Sequence, residues 1–526
     1  MIKYTRALSF VFLLLTAVAC NKTDTDTISG VDHLGLTALG NQKHQTIRNF
    51  GASDAWSCQF IGKNWPEDKK EQIADWLFSM ERDEEGNPKG IGLTAWRFNI
   101  GGGSAEQGAA SGIGDEWRRA ESFMTAPGTY DWSKQEGQRW FLRAAQSRGV
   151  ETFIGFVNSP PVHLTKNGMA FSSNGQSWNL PPQLYEAYAE YLAEVAENLA
   201  SLDGITLSAI SPFNEPQWDW TNSGQEGTPA RNSEMAAAIR VINEAFETRN
   251  LPTRIEIPET AQLNYLYEID NKPERGSQIE AFFDPQSPDY VGSLSHVAPK
   301  VAAHSYFTTW PVDQMAATRL QVKDAVAGST TPVEFWMTEY CPLENNSYIN
   351  GNGRDLGMLT ALYVARVIFS DLTLANASAW QWWLGVSPYD YKDGLVYTDY
   401  DKFDGNIYDS KTLWALGHFS RFVRPGMKRI SVSRNDFRQA EATLESTMST
   451  AFVSEDDSIF TMVIINFSEN TIPMELQLDG LPAYNDLKLY LTDALSDHNL
   501  SDRGAFKVGN RYVIPPRSIV TITNQE

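Results

Sequence analysis

The chain is poor in three things that would have set its chemistry at once. It has 3 cysteines in 526 residues, too few for a disulfide-stapled scaffold. With Cys20 set aside, Cys58 and Cys341 either form one bridge or remain free thiols. It has 43 Lys and Arg against 65 Asp and Glu, a net charge of −22 at pH 7. That balance argues against nucleic acid and anionic membrane surfaces as partners, because both are held by clustered cations. Its 7 histidines form no His/Cys cluster at zinc spacing, and no EF-hand loop occurs, so neither a metal nor any other cofactor is called for. Gly101-Gly102-Gly103 lacks the Lys-Ser/Thr of a P-loop and the spacing of a dinucleotide loop, which argues against a nucleotide enzyme.

What is present is an ordinary globular composition, 42% hydrophobic and 21% charged, with 16 Trp, 20 Tyr and 26 Phe. Such flat rings suit sugar recognition and equally suit a large core. At the N-terminus, Lys3 and Arg6 precede an apolar run from Ala7 to Ala19 that is too short to span a bilayer and has the shape of a secretory signal. The run ends in Thr16-Ala17-Val18-Ala19-Cys20, which resembles the lipobox of bacterial lipoproteins, with Ala17 where Leu is usual. The resemblance implies removal of residues 1–19, lipidation of Cys20, and anchoring by lipid alone at the outer membrane or cell surface. A plain secretory signal, giving a periplasmic or secreted protein, is the alternative. Residues 20–30 are polar and Thr/Asp-rich, the composition of a tether.

From residue 46 onward, runs rich in β-branched and aromatic residues alternate with stretches of helical period. The strand runs are Thr46–Ser53, Leu93–Ile100, Glu151–Asn158, Leu207–Asn214, Thr253–Thr260, Lys300–Tyr306, Val333–Tyr340 and Ser378–Trp383. The helical stretches are Lys69–Met80, Gln135–Arg148, Pro182–Leu202, Asn232–Arg249, Val312–Ala327 and Gly357–Leu374. This alternation predicts an α/β fold, a TIM (β/α)8 barrel over 46–425. Beyond it, the short alternating runs Ile430–Ser433, Ala451–Val453, Ile459–Asn466, Thr471–Leu478, Leu487–Thr492 and Tyr512–Thr523 predict an antiparallel β-sandwich over 426–526. Residues 31–45 are expected to add a strand to it.

Barrel chemistry gathers where strands end. The fourth run closes in Ser211-Pro212-Phe213-Asn214-Glu215-Pro216 and the seventh in Trp336-Met337-Thr338-Glu339-Tyr340. Two carboxylates facing each other across the mouth suit glycoside hydrolysis: one protonates the leaving oxygen and the other attacks the anomeric carbon, with retention at about 5–5.5 Å separation.

These motifs, with Phe50-Gly51-Ala52-Ser53-Asp54-Ala55-Trp56, Trp96-Arg97-Phe98-Asn99-Ile100-Gly101-Gly102-Gly103, Asn158-Ser159-Pro160-Pro161 followed by Lys166-Asn167-Gly168, and Ile514-Pro515-Pro516-Arg517-Ser518, resemble family 30 glycoside hydrolases of the clan A retaining glycosidases, a barrel fused to a β-sandwich. Asn214 to Trp220 with Gln225-Glu226-Gly227-Thr228-Pro229 looks most like the endo-β-1,6-galactanase branch. The resemblance implies Glu215 as acid/base, Glu339 as nucleophile, Arg97 and Tyr306 steadying the nucleophile, and Asn214 on the sugar 2-hydroxyl. It also implies that Asp54, Trp56, Asn158, Trp218, His304 and Trp380 grip the substrate. Each has a plainer role available: an ion pair for Arg97, core packing for His304, Tyr306, Trp56 and Trp380. Trp178, Trp218, Trp220, Trp310, Trp382 and Trp383 equally suit packing. Glu259, closing strand five, reads as a structural or substrate-hydroxyl contact. The implied partner is a neutral β-linked polysaccharide, β-1,6-galactan foremost, with β-1,6-glucan and xylan as rivals. A surface glycan-binding lipoprotein without catalysis is the reading from another class.

Overall fold

The computed structural model describes residues 32–221 and 224–525; the signal, Cys20 and the tether lie outside the described residues. Eight parallel strands form the barrel. In order they are Asn49–Ser53, Ala95–Asn99, Thr152–Phe156, Ala209–Ser211, a fifth in two pieces, Lys300–His304, Glu334–Glu339 and Ala379–Ser387. The fifth run, expected to be continuous, is broken at Glu256 and Ile257. Arg254–Ile255 pairs with the fourth strand, while Pro258–Thr260 pairs with the sixth. Across this break the sheet closes, because the eighth strand pairs in turn with the first. Among the described residues, six long helices cover the barrel between these strands: Glu67–Phe78, Glu136–Ser147, Tyr185–Asp203, Asn232–Thr248, Val312–Ala327 and Met358–Thr373. All six lie within a few residues of the stretches with helical period. Among the described residues, no helix is long and apolar enough to cross a membrane.

The second sheet has nine strands and runs from Ser501–Ala505 at one edge to Arg511–Ile514 at the other. Leu34–Thr46 enters it before the barrel begins, antiparallel to Lys428–Arg434 and parallel to Ile472–Asp479. The last run, read from sequence as one strand, is two: Arg511–Ile514 and Ser518–Thr523 pair with different neighbours on either side of Pro515-Pro516. Proline supplies no N–H to a ladder, and the chain switches partners there.

The strand Phe460–Asn466 is buried along its whole length. Phe460, Met462 and Ile464 fill the interior of the sandwich, while Val463 and Ile465 join the barrel's own core. Period two thus delivers one apolar row to each side, and the sheet is glued to the helix layer instead of standing in water. Polar residues on the barrel side are satisfied across this seam: the Thr461 hydroxyl donates to the carbonyl of Phe422 at 2.8 Å, and the Thr521 hydroxyl meets His418 Nδ1 at 2.8 Å. Arg366 crosses the same seam, caged by the rings of Tyr348, Tyr363 and Phe467 at 5.0, 4.8 and 4.7 Å.

Behind the first strand, the helix Cys58–Asn64 crosses Glu136–Ser147 with Gly62 and Gly137 backbone to backbone. A methyl group at either glycine would overlap the other helix's main chain. This contact sets Gln138 Nε2 at 2.9 Å from Asp54 Oδ1, so it reaches the barrel mouth. Gly137→Ala is expected to lower stability by about 1–3 kcal/mol, the usual cost of overpacking, read as a drop in the urea midpoint at unchanged slope.

Candidate active site

Second-strand geometry puts Arg97 at the centre of the mouth. Its guanidinium is completely buried, with Nη1 2.9 Å from Glu339 Oε2 and Nη2 3.3 Å from Glu259 Oε1. Tyr306, two residues past the sixth strand, donates from its hydroxyl to Glu339 Oε1 at 3.0 Å. Both Glu339 oxygens therefore accept a hydrogen bond, which fixes the carboxylate's plane.

Glu215 arrives differently. The fourth strand stops at Ser211, and the segment through Asn214 bends over the rim, leaving Glu215 at φ 45°. A left-handed conformation at a non-glycine residue is costly. Its backbone N–H holds the turn by donating to the Glu259 carbonyl at 2.9 Å. His304 then bridges two carboxylates, with Nδ1 3.0 Å from Glu215 Oε1 and Nε2 2.8 Å from Glu259 Oε2. One oxygen of Glu215, one nitrogen of His304 and one oxygen of Glu339 all lie within 4.8 Å of one another.

Glu259 is the residue whose weight the sequence understated. It is fully buried, and besides Arg97 and His304 it accepts from Thr338 Oγ1 at 2.6 Å and Ser211 Oγ at 2.8 Å. With four side-chain partners from four other strands, it is an internal anchor. Burial works against its charge, but Arg97 and His304 outweigh it and hold the carboxyl well below its usual range. The imidazole of His304 shows the converse. Burial opposes its charge, yet Glu339, Glu215 and Glu259 together raise it to about 10, so it is an imidazolium at neutral pH. Glu215 is raised above the ordinary carboxyl range chiefly by burial, with the charges of Glu339 and Glu259 adding to it and His304 pulling it back. The spacing of Glu215, His304 and Glu339 suits a metal, but a cation there would meet both Arg97 and the imidazolium, so the set does not fit one.

Around this core stand polar groups with nothing to bond. Asp54 Oδ2, Trp56 Nε1, both amide atoms of Asn158 and Asn214 Oδ1 are buried without a protein partner. They come from the ends of strands one, three and four. Asp54 Oδ1, in contrast, accepts from Asn99 N and Gln138 Nε2, and burial pushes the Asp54 carboxyl up to about 7. Buried polar atoms are nearly always paired in a folded protein, so this cluster is open to a hydrogen-bonding ligand.

Ring placement follows strand parity. Trp380 and Trp382 share one face of the eighth strand, and Trp380 is turned into the helix layer, where its Nε1 donates to Asp371 at 2.9 Å. It does not reach the mouth, contrary to the grip expected of it. Trp383, on the opposite face, does: it meets Trp56 edge-on at 5.3 Å and Phe156 at 6.1 Å. Arg118 lies over Trp56 at 5.5 Å and over Tyr389 at 4.9 Å, extending this wall. On the Glu215 side, Trp218 is half-buried against the exposed ring of Phe307 at 6.0 Å. Glu226, quoted only as part of a motif, proves to be a clamp. Its buried carboxylate accepts from Gly102 N at 2.7 Å and from Ser104 N and Oγ at 3.1 and 2.6 Å. Cys58 and Cys341 are free thiols.

Residues 36–397 match the family model described as O-Glycosyl hydrolase family 30. The chain is 23% identical over 407 residues to an endo-beta-1,6-galactanase of Hypocrea rufa, covering 73% of each sequence. Among solved structures it resembles a conserved exported protein from Bacteroides fragilis, at 34% identity and a TM-score of 0.86 over 93% of this chain and 99% of that one. The catalytic domain of the GH30 xylanase C of Talaromyces cellulolyticus has the same fold, with a TM-score of 0.67 at 22% identity, covering 93% and 99%. The family match spans all eight barrel strands, and with them both carboxylates and the Arg97 and His304 contacts that hold them: the chain belongs to glycoside hydrolase family 30.

Proposed function

We propose that this glycoside hydrolase is a retaining endo-enzyme acting on β-1,6-linked galactan. The approach of Glu215 and Glu339 carries the mechanism: oxygens of the two lie within 4.8 Å, short for an inverting pair, which needs room for a water between them. In the first step Glu339 attacks the anomeric carbon while Glu215 passes its proton to the departing oxygen, giving a glycosyl ester on Glu339. Esterification removes the negative charge of Glu339 that helps keep Glu215 protonated, so Glu215 becomes the base. It takes a proton from water, whose oxygen attacks the same carbon from the face the leaving group vacated and frees Glu339. Asp54, Asn158 and Asn214 hold the sugar hydroxyls, and Trp56 with Trp383 backs the ring. Support for galactan comes from the Asn214–Trp220 motif and the endo-beta-1,6-galactanase relative. Support for export comes from the N-terminal signature and the exported relative, and we assign lipid anchoring to Cys20.

Incubation of the chain from Asn21 onward with β-1,6-galactan, β-1,6-glucan and glucuronoxylan is expected to release oligosaccharides from the first, with the β anomer appearing before mutarotation. Glu215→Gln should lower kcat/KM by ~10²–10⁴, and Glu339→Gln should abolish turnover. Products from glucan or xylan alone would discard galactan and keep the mechanism. Binding without products would leave a glycan-binding protein.

The pH profile gives a second check. A general acid works only while protonated, so activity falls as pH rises through the pKa of Glu215. His304 lowers that pKa, and His304→Gln should therefore move the alkaline limb of kcat/KM to higher pH while reducing its height.

Asp54→Asn separates binding from folding. Because the folded carboxyl titrates at about 7 instead of 3.8, the native state binds that proton more tightly than the unfolded one. The stability this lends is present below pH 4 and lost as pH rises towards 7. The amide keeps the bonds from Asn99 and Gln138 and cannot ionise, so above pH 7 the variant should be more stable than the parent, by about 1–4 kcal/mol, and equal to it only well below pH 4. Its kcat/KM on galactan should fall, because the unpaired oxygen that accepts from the sugar is gone.

A further inference from the structure

A groove of about 410 Å³ opens between the helix layer and the sandwich, lined by parts of Leu34–Thr46, Val312–Ala327, Met358–Thr373 and Lys428–Arg434. It lies near the ends of those two helices, at Lys323 and Thr373, and barrel helices run back against their strands. The groove therefore sits at the end of the barrel opposite the catalytic mouth.

Its lining is unusual for this molecule. In a chain of net charge −22, the residues lining the groove include Lys323, Arg429, Arg434 and Arg438 with His44, and no Asp or Glu. Arg434 is taken up by Asp436 through two bonds of 2.8 and 2.7 Å. Lys323 has no ion pair or hydrogen bond among the described residues. Arg429 is buried and held from behind, donating from Nε to Gln45 at 3.0 Å and from Nη2 to Asn376 at 2.8 Å. Thr450, 2% exposed, lines the groove with its Oγ1 unpartnered. At the rim stands Phe437, 86% exposed and at φ 58°, the kind of bare ring on which a sugar face stacks.

We propose that this groove is an accessory binding site for a carboxylated sugar, a uronic acid residue of an acidic polysaccharide. Lys323 and Arg429 take the carboxylate, Thr450 and Ser431 take hydroxyls, and Phe437 covers the apolar face of the ring. The assignment rests on the reading that the chain works on polysaccharide, and it adds an acidic branch or terminus, held away from the mouth, to a neutral backbone. His44 reports on it directly. Its Nε2 is 2.8 Å from Ser431 Oγ, and desolvation, with the charges of Arg429 and Lys323 behind it, lowers the imidazole to about 4. The neighbouring Lys43 is paired with Asp457 at 2.6 Å. An anion seated between Lys323 and Arg429 would raise the His44 titration.

The test compares a β-1,6-galacto-oligosaccharide ending in glucuronic acid with the same molecule after its carboxyl is reduced to the alcohol. Both are titrated calorimetrically into the intact chain, with His44 followed by NMR. The acidic oligosaccharide should bind at least tenfold more tightly than the reduced one and move the His44 midpoint upward. Lys323→Glu should remove that tenfold preference, and Phe437→Ala should weaken both ligands, while both variants cleave short neutral galacto-oligosaccharide at the parental rate. Equal affinity for the two ligands, or an acidic preference that survives Lys323→Glu, overturns the proposal. Inorganic phosphate binding as tightly as the uronate would mean an adventitious ion only, and would overturn the sugar assignment. Failure of the catalytic reading looks different: galactan would go uncleaved while the preference sensitive to Lys323 remained.

Discussion

The buried guanidinium of Arg97 is the constraint around which the barrel mouth is organised. A cation without any exposure is tolerable only when its counter-charges are in place, and here Glu339 and Glu259 supply them. Glu259 in turn gathers His304 and Thr338 from strands six and seven and Ser211 from strand four. One carboxylate thus ties strand two to strands four, five, six and seven, and Glu215 and Glu339 inherit their positions from it. Electrostatic preorganisation of this kind costs nothing at the moment of reaction, because the dipoles and charges were oriented during folding.

Outside that ring, the logic reverses. Asp54, Trp56, Asn158 and Asn214 keep atoms unpaired, and Glu215 occupies a backbone conformation it would not choose alone. Unpaired buried groups and left-handed backbone each cost stability, which the packed cores of barrel and sandwich offset. Under the proposed reading, a site built to hydrogen-bond hydroxyls discriminates strongly against molecules lacking them, since each missing hydroxyl leaves one of these groups stranded.

Much of this was legible in the sequence, for reasons that also explain where it was not. Barrel strands and the six long helices declare themselves by period, and strand ends then point to Glu215 and Glu339. The break in the fifth strand is invisible, because Glu256 and Ile257 continue an extended pattern while the hydrogen bonds pass from one neighbour to the other. Ser501–Ala505, polar and containing Gly504, forms an edge strand with little apolar signal. Trp380 and Trp383 differ in role through parity alone, which becomes decisive only once the register with Phe50 is known. Glu259 was visible as a carboxylate ending a strand. Its four partners come from four other strands, and no local pattern encodes such a meeting.

The strand Leu34–Thr46 has a consequence for the order in which the molecule is made. It is synthesised before the barrel, yet its partners Lys428–Arg434 and Ile472–Asp479 emerge some 400 residues later. The barrel can assemble around its own core while this segment waits, with Leu34 and Leu36 exposed, for the far end of the chain. Sheets closed by such distant pairings form slowly. The waiting strand is therefore the stretch most in need of shielding as the chain folds, and Lys428–Arg434 and Ile472–Asp479 are what release it from that need.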